Sequence, residues 1–198
     1  PELGKMLHIF ASPQIKNQGT LVGNALNASP IADTIPFLLA TESVVCLVNT
    51  DHKERRVPLT EFYLGYKKLD LNPNEIVTHI CIPLPKKEEI LKLYKVSVRK
   101  DLDISAVTFA ANVCVNESKK ITSIRVALGG VAATVLRMNA IEDLLLHQEF
   151  TRESIMQAAE LLPSLMTPLS DVRGTKEYRI RVCQNLFLKF NFISLLVK

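Results

Sequence analysis

Apolar residues recur along this chain first with a helical period and then with a strand-like one. Leu3, Met6, Leu7 and Phe10 share one face of a helix over 3–10, which Pro13 and Gly19 then interrupt. In the stretch TLVGNALNASPIADTIPFLLA, residues 20–40, Asp33 reads as the N-cap of an apolar helix with Pro36 in its first turn. Runs rich in β-branched residues predict strands over 43–49, in the return run RRVPL and over 75–85, where prolines end the pattern. Between the last two, PLTEFYLGYKKLDL carries a short helix or turn.

The charged run KKEE at 86–89 marks a boundary, giving units of 1–87 and 88–198. Three strand-like runs follow, over 91–99, 104–116 and 121–130, and the turn ESKK joins the last two as a hairpin. The period then becomes helical over 135–147. Thr151 opens a second helix that ends near Pro163, and an amphipathic helix covers 176–198. Strands followed by helices predict an α+β fold, with antiparallel sheets, helices on one face and two subdomains.

Hydrophobic residues make up 47% of the 198, which supports a core and argues against disorder. No apolar run reaches membrane-spanning length and no signal peptide pattern is present, so no membrane is expected and the location is read as cytoplasmic. The first residue is Pro, and the chain is read as an internal piece of a longer protein. The net charge of +4 is dispersed and there is no Trp, which excludes the electrostatic and stacking footprint of a nucleic-acid binder. Cys46, Cys81, Cys114 and Cys183 lack zinc or iron–sulfur spacing. They read as buried free thiols of a reducing compartment, with no metal site expected. The histidines are scattered, and the alternation in VTHICIP sets His79 opposite Ile80 and Ile82.

Within 20–40, Gly23 permits close approach or a positive φ, Asn24 offers a donor and an acceptor, and Ser29-Pro30 forms a rigid turn. Such a pattern serves either as plain punctuation or as a loop–helix junction that holds phosphate. Spacing alone does not choose between them.

ASPQIKNQGTLVGNALNASPIADTIPFLLA resembles the FAD-binding segment of the xanthine dehydrogenase family of molybdenum hydroxylases. EFYLGYKKLDLNPNEIVTHICIPLP, YKVSVRKDLDISAVTFAANV, VALGGVAATVLR and DVRGTKEYRIRV continue the likeness in the family's order, over essentially the whole chain. The nearest likeness is to the small iron–sulfur/FAD subunit of bacterial members. The resemblance implies part of an FAD-binding domain followed by a carbon monoxide dehydrogenase flavoprotein C-terminal-like domain.

By that resemblance Phe10 and Ala11 line the cofactor, and Thr20, Gly23 and Asn24 form its second loop. Ser29 and Asp33 belong to the Ser-Pro…Asp element, with Asp33 accepting from a sugar hydroxyl. Val77 is an apolar flavin neighbour, and Lys95 lies near the flavin edge. Arg99, Lys100, Asp101 and Asp103 belong to the charged loop approached by NAD. No acid, base or nucleophile is implied. Two positions depart from the pattern: Val22 replaces the first Gly of Gly-Gly-Asn, which suggests a looser loop, and Leu102 replaces a polar loop residue.

The implied partners are an iron–sulfur module and a molybdenum-binding subunit, neither of which lies within these residues, and nor does the family's upstream Gly-rich loop. The same residues admit the flavin subunit of a carbon monoxide, aldehyde or hydroxybenzoyl-CoA oxidoreductase. They also admit a non-catalytic docking module, whose Phe187, Phe190 and Phe192 would face a partner. Gly129 and Gly130 read as packing residues, and Arg173, Tyr178 and Arg179 as subdomain-docking residues.

Overall fold

The structure, a computed structural model, describes residues 2–99 and 102–195. Four short helices come first: α1 (Glu2–Ile9), α2 (Pro13–Gln18), α3 (Leu21–Leu26) and α4 (Ile35–Ala40). Then come β1 (Val44–Asn49), β2 (Glu54–Pro58), α5 (Leu59–Phe62), the ribbon β3 (Tyr63–Gly65) and β4 (Lys68–Leu69), and β5 (Glu75–Cys81). The order β2-β1-β5 makes a three-stranded antiparallel sheet. The rest holds β6 (Glu89–Ser97), β7 (Ser105–Val115), β8 (Ile121–Gly129), β9 (Leu136–Arg137), α6 (Asn139–Leu145), α7 (Arg152–Leu165) and α8 (Lys176–Leu195). Its four strands form an antiparallel sheet in sequence order.

The two faces of this larger sheet bury different things. Val107, Phe109, Ala111 and Val113 of β7 pack with Leu162 of α7 and with Phe187 and Phe190 of α8. On the other face, Ala127 and Leu91 join the cluster built on α4, with Ile35, Leu38 and Leu39. Burial on both sides explains why β7 reads as a near-continuous apolar run rather than an alternating one. It also explains α4, whose six residues are all buried. Phe187 and Phe190 therefore belong to the core, and only Phe192 is exposed, at 66%.

Several elements differ from expectation. The segment 13–26 is not a plain break: Ser12 accepts from the Ile15 N–H and Thr20 from the Gly23 N–H, capping α2 and α3. Asp33 is not the cap of α4; Thr34 occupies that position without a side-chain cap bond. The segment 135–147 begins as an edge strand, because Leu136 and Arg137 pair with β8, and the helix starts only at Asn139. Glu142 ties the two together by accepting from the Val126 N–H at 2.7 Å and from Arg137.

α7 opens on a reciprocal capping box between Thr151 and Ser154 and runs past Pro163 to Leu165. Proline has no N–H for the carbonyl four residues back. That carbonyl, of Ala159, instead accepts from Gln184 Nε2 of α8 at 3.3 Å. Among the described residues no helix is long and apolar enough to cross a membrane.

Arg55 on β2 grips Glu75 of β5 through two bonds of 2.9 and 2.8 Å and reaches Asp70 at 2.6 Å. That guanidinium, with the Asn72 N–H, pulls the Glu75 carboxyl down to about 2. A depressed folded-state pKa contributes stability above the usual carboxylate value, and that stability is lost as pH falls through the folded one. Wild-type urea midpoints should therefore drop between about pH 4.5 and pH 2. In Arg55→Met the acid limb of the same curve should be flatter over that window.

Candidate functional site

The loop joining α3 to α4 is wound tightly by its own residues. Ala28 takes the left-handed position after α3, with φ +48°. The Ser29 carbonyl accepts from the Ala32 N–H at 3.1 Å. Asn24 Oδ1 accepts from the Thr34 hydroxyl at 2.5 Å, which orients the amide and leaves its NH2 donors for another acceptor.

The loop is held down at two points by the larger sheet. The first is Asp33, only 6% exposed, which accepts from Lys95 Nζ on β6 at 2.6 Å and from the Ser105 hydroxyl at the head of β7. The second is the Pro30 carbonyl, which accepts from the Gly130 N–H at 2.7 Å. A Cβ on Gly129 would stand 2.2 Å from Thr108 Oγ1 and 3.2 Å from the Pro30 oxygen. Gly130 has φ +80°, and a Cβ there would stand 2.2 Å from the Ala106 oxygen. The packing role read for this glycine pair is what the structure shows.

Arg179 of α8 lies behind that junction. Its guanidinium donates to the Ala106 carbonyl, to the Gly130 carbonyl at 3.2 Å and to Asp171 Oδ1 at 2.7 Å. Ala106 is the extra residue of a bulge, since Val107 pairs with Val96 while Ser105 pairs with Ser97.

The residues singled out from the sequence fall into three groups. Asp33 and Lys95 form one buried pair, and Asn24 bonds to Thr34, the residue next to Asp33. Thr20, Gly23 and Val22 all belong to α3 or its cap. Gly23 has no positive φ and Val22 is helical, so the substitution at Val22 does not strain this loop. Phe10 is half-buried at the end of α1, Ala11 has φ +46°, and Val77 packs inward against the α4 cluster.

Among the described residues of the charged loop, Arg99 and Asp103 bond to each other. Arg99 N–H donates to Asp103 at 2.7 Å, and its guanidinium pairs with the same carboxylate at 3.4 Å. The Arg99 N–H holds that carboxyl below the usual range. Lys100 and Asp101 lie outside the described residues. Sequence reading passed over Ser105 and Thr34; the one visible signal for Ser105 was a hydroxyl opening the apolar run SAVTFAANV.

Electrostatically, residues 10–34 contain a single acid, Asp33, and it is neutralised by Lys95. The segment otherwise offers hydroxyl, amide and backbone donors and one cation, Lys16, whose ammonium donates to the Leu7 and His8 carbonyls. Residues 1–85 match the family described as the FAD binding domain in molybdopterin dehydrogenase, and residues 92–192 match the CO dehydrogenase flavoprotein C-terminal domain. The chain belongs to the CO dehydrogenase flavoprotein C-terminal domain family.

Its similarity to xanthine dehydrogenase from Blastobotrys adeninivorans is 30% identity over 192 residues, 94% of this chain and 14% of that protein. Xanthine dehydrogenase/oxidase from Gallus gallus is 29% identical over 198 residues, again 14% of that protein. The chain thus spans a small part of the relatives it matches. Among solved structures it is similar to carbon monoxide dehydrogenase from Hydrogenophaga pseudoflava, with TM-score 0.88 and 27% identity over 96% of this chain and 65% of that one. Over most of its length the chain is thus similar to a part of xanthine dehydrogenases and of carbon monoxide dehydrogenase. The donor set fits FAD. The one carboxylate of residues 10–34 is paired with Lys95, which leaves hydroxyl, amide and N–H donors without net negative charge, the chemistry that a phosphate-bearing group requires.

Proposed function

We propose that the chain serves the flavin station of a xanthine dehydrogenase-like enzyme, on the electron route from iron–sulfur clusters to NAD. FAD supplies the redox chemistry when bound, while the protein binds and orients it. Thr20, Gly23, Asn24 and Ser29 hold the phosphate and sugar side, and Phe10, Ala11 and Val77 supply the apolar walls. Asp33 and Lys95 fix the loop against β6 and present polar groups beside the flavin. Arg99, Lys100, Asp101 and Asp103 form the acceptor-facing loop. The iron–sulfur module and the molybdenum-binding subunit are its partners, in the cytoplasm, and residues 1–87 and 88–198 are its two units.

The observation that carries this reading is the double anchorage of loop 27–34, through Asp33 and through Pro30, onto the second sheet. A cofactor loop has to be held rigid by supports outside itself. The burial of Phe187 and Phe190 speaks against the docking-module alternative.

Adding FAD, desalting and recording the visible spectrum tests the proposal. Retained flavin absorbance is expected. Asn24→Ala should weaken retention by about 10–100-fold, the effect of losing one hydrogen bond to a charged group, with the circular dichroism unchanged. No retention by this chain, even with the family's upstream Gly-rich loop restored, would overturn it.

A further inference from the structure

The sheet β2-β1-β5 turns Val45, Leu47, Val57 and Ile80 into the core. On its other face two thiols and an imidazole converge. Cys46, His79 and Cys81 each place a ligand atom within 4.8 Å of the others, and the two sulfurs are 3.6 Å apart. Sequence spacing could not show this, because the residues meet across strands. A bulge completes the arrangement. Leu47 pairs with Val77 but Cys46 pairs with His79, so Thr78 and His79 together oppose Cys46. Both are therefore exposed, whereas Val77 and Ile80 point inward.

The surroundings orient the donors. The Thr78 hydroxyl donates to the Cys46 carbonyl at 3.1 Å, so at 3.0 Å it accepts from His79 Nδ1. This selects the tautomer whose Nε2 lone pair is available for ligation, the arrangement usual for metal-bound imidazoles. Arg56 Nη2 donates to the Cys81 sulfur at 3.4 Å.

We infer that Cys46, His79 and Cys81 form a three-ligand site for Zn2+, with the fourth position open to solvent. Two thiolates neutralise the ion, and Cys2His is an established ligand set for zinc with an open position. Two Zn–S bonds of about 2.3 Å at the tetrahedral angle set their sulfurs about 3.8 Å apart, close to the separation found here. A disulfide suits the geometry less well. Cys81 lies opposite Val44, so Cys46 and Cys81 are diagonal neighbours. Diagonal Cα atoms stand about 7–8 Å apart, at or beyond the reach of a disulfide. A disulfide would also leave the orientation of His79 without a purpose.

The test is calorimetric titration of the reduced chain with Zn2+ alone, with alkylation mapping of the cysteines. One equivalent should bind and should protect Cys46 and Cys81. Thr78→Val should weaken binding by about 10–100-fold, as outer-shell changes do, and His79→Gln and Cys81→Ser by more. Cys114→Ser, on the other sheet, should change nothing. Co2+ should produce a thiolate charge-transfer band that Cys81→Ser removes. Variants are compared only where circular dichroism matches wild type, and the outward-facing His79→Gln serves if a cysteine variant does not fold. Absence of zinc uptake by the folded wild type, or uptake unchanged in His79→Gln, overturns the inference. So does a Cys46–Cys81 disulfide formed without any zinc binding by the reduced protein.

Discussion

Arg179→Met should lower the unfolding free energy by about 2–6 kcal/mol, from two buried carbonyl acceptors left unsatisfied at about 1–3 each. Arg179 is 2% exposed, and its guanidinium serves the carbonyls of Ala106 and Gly130. Neither carbonyl sits in a regular part of the ladder. Ala106 is the bulge residue of β7, and Gly130 lies one residue past the end of β8. Asp171 loses a partner too, but it is one-third exposed and still paired with Arg173, so its share is small.

The measurement is a urea midpoint at constant slope. Arg179→Lys should recover only part of the loss, because an ammonium cannot reproduce the planar fork. Flavin retention should fall together with stability, since the Gly130 N–H seats the Pro30 carbonyl of the cofactor loop. A Met variant within about 0.5 kcal/mol of wild type, the range of an ordinary surface substitution, would show that water satisfies those carbonyls instead.

Most of the strands and the order of the layers were readable from the period of apolar residues, because each sheet buries at least one face along its length. The failures have local causes. Leu136 and Arg137 carried a helical pattern but pair at a sheet edge, which no period within the segment reveals. Pro163 looked like a stop because the rescue of the Ala159 carbonyl comes from Gln184, on a different helix. Asp33 looked like a cap because caps are local and ion pairs are not: its partners stand 62 and 72 residues away. The same limit hid the cysteines, since Cys46 meets Cys81 only through strand pairing and a bulge. The loop residues of the candidate site are named by motif likeness and Arg179 reads as a docking residue, whereas the support from Ser105 and the carbonyls that Arg179 serves emerge only from the fold.

The pair Asp33–Lys95 allows support and ligand contact to be separated. Both side chains are almost fully buried, at 6% and 4% exposure. Asp33→Asn leaves an ammonium in the interior with its charged partner gone, and Lys95→Met leaves a carboxylate with only the Ser105 hydroxyl. Each single change should destabilise by about 3–5 kcal/mol, the usual result of breaking a buried pair from one side. Asp33→Asn combined with Lys95→Met removes both charges at nearly constant volume. That double variant should regain most of the lost stability, because replacing a buried pair by neutral groups is often close to neutral. Its coupling energy follows from the four urea curves of the cycle. The decisive comparison is flavin retention by the stable double variant. If Asp33 and Lys95 present charge to the cofactor, the variant folds but releases FAD on desalting. If they only pin the loop, it folds and keeps the flavin, and the polar contact assigned to them belongs to Asn24 and Ser29.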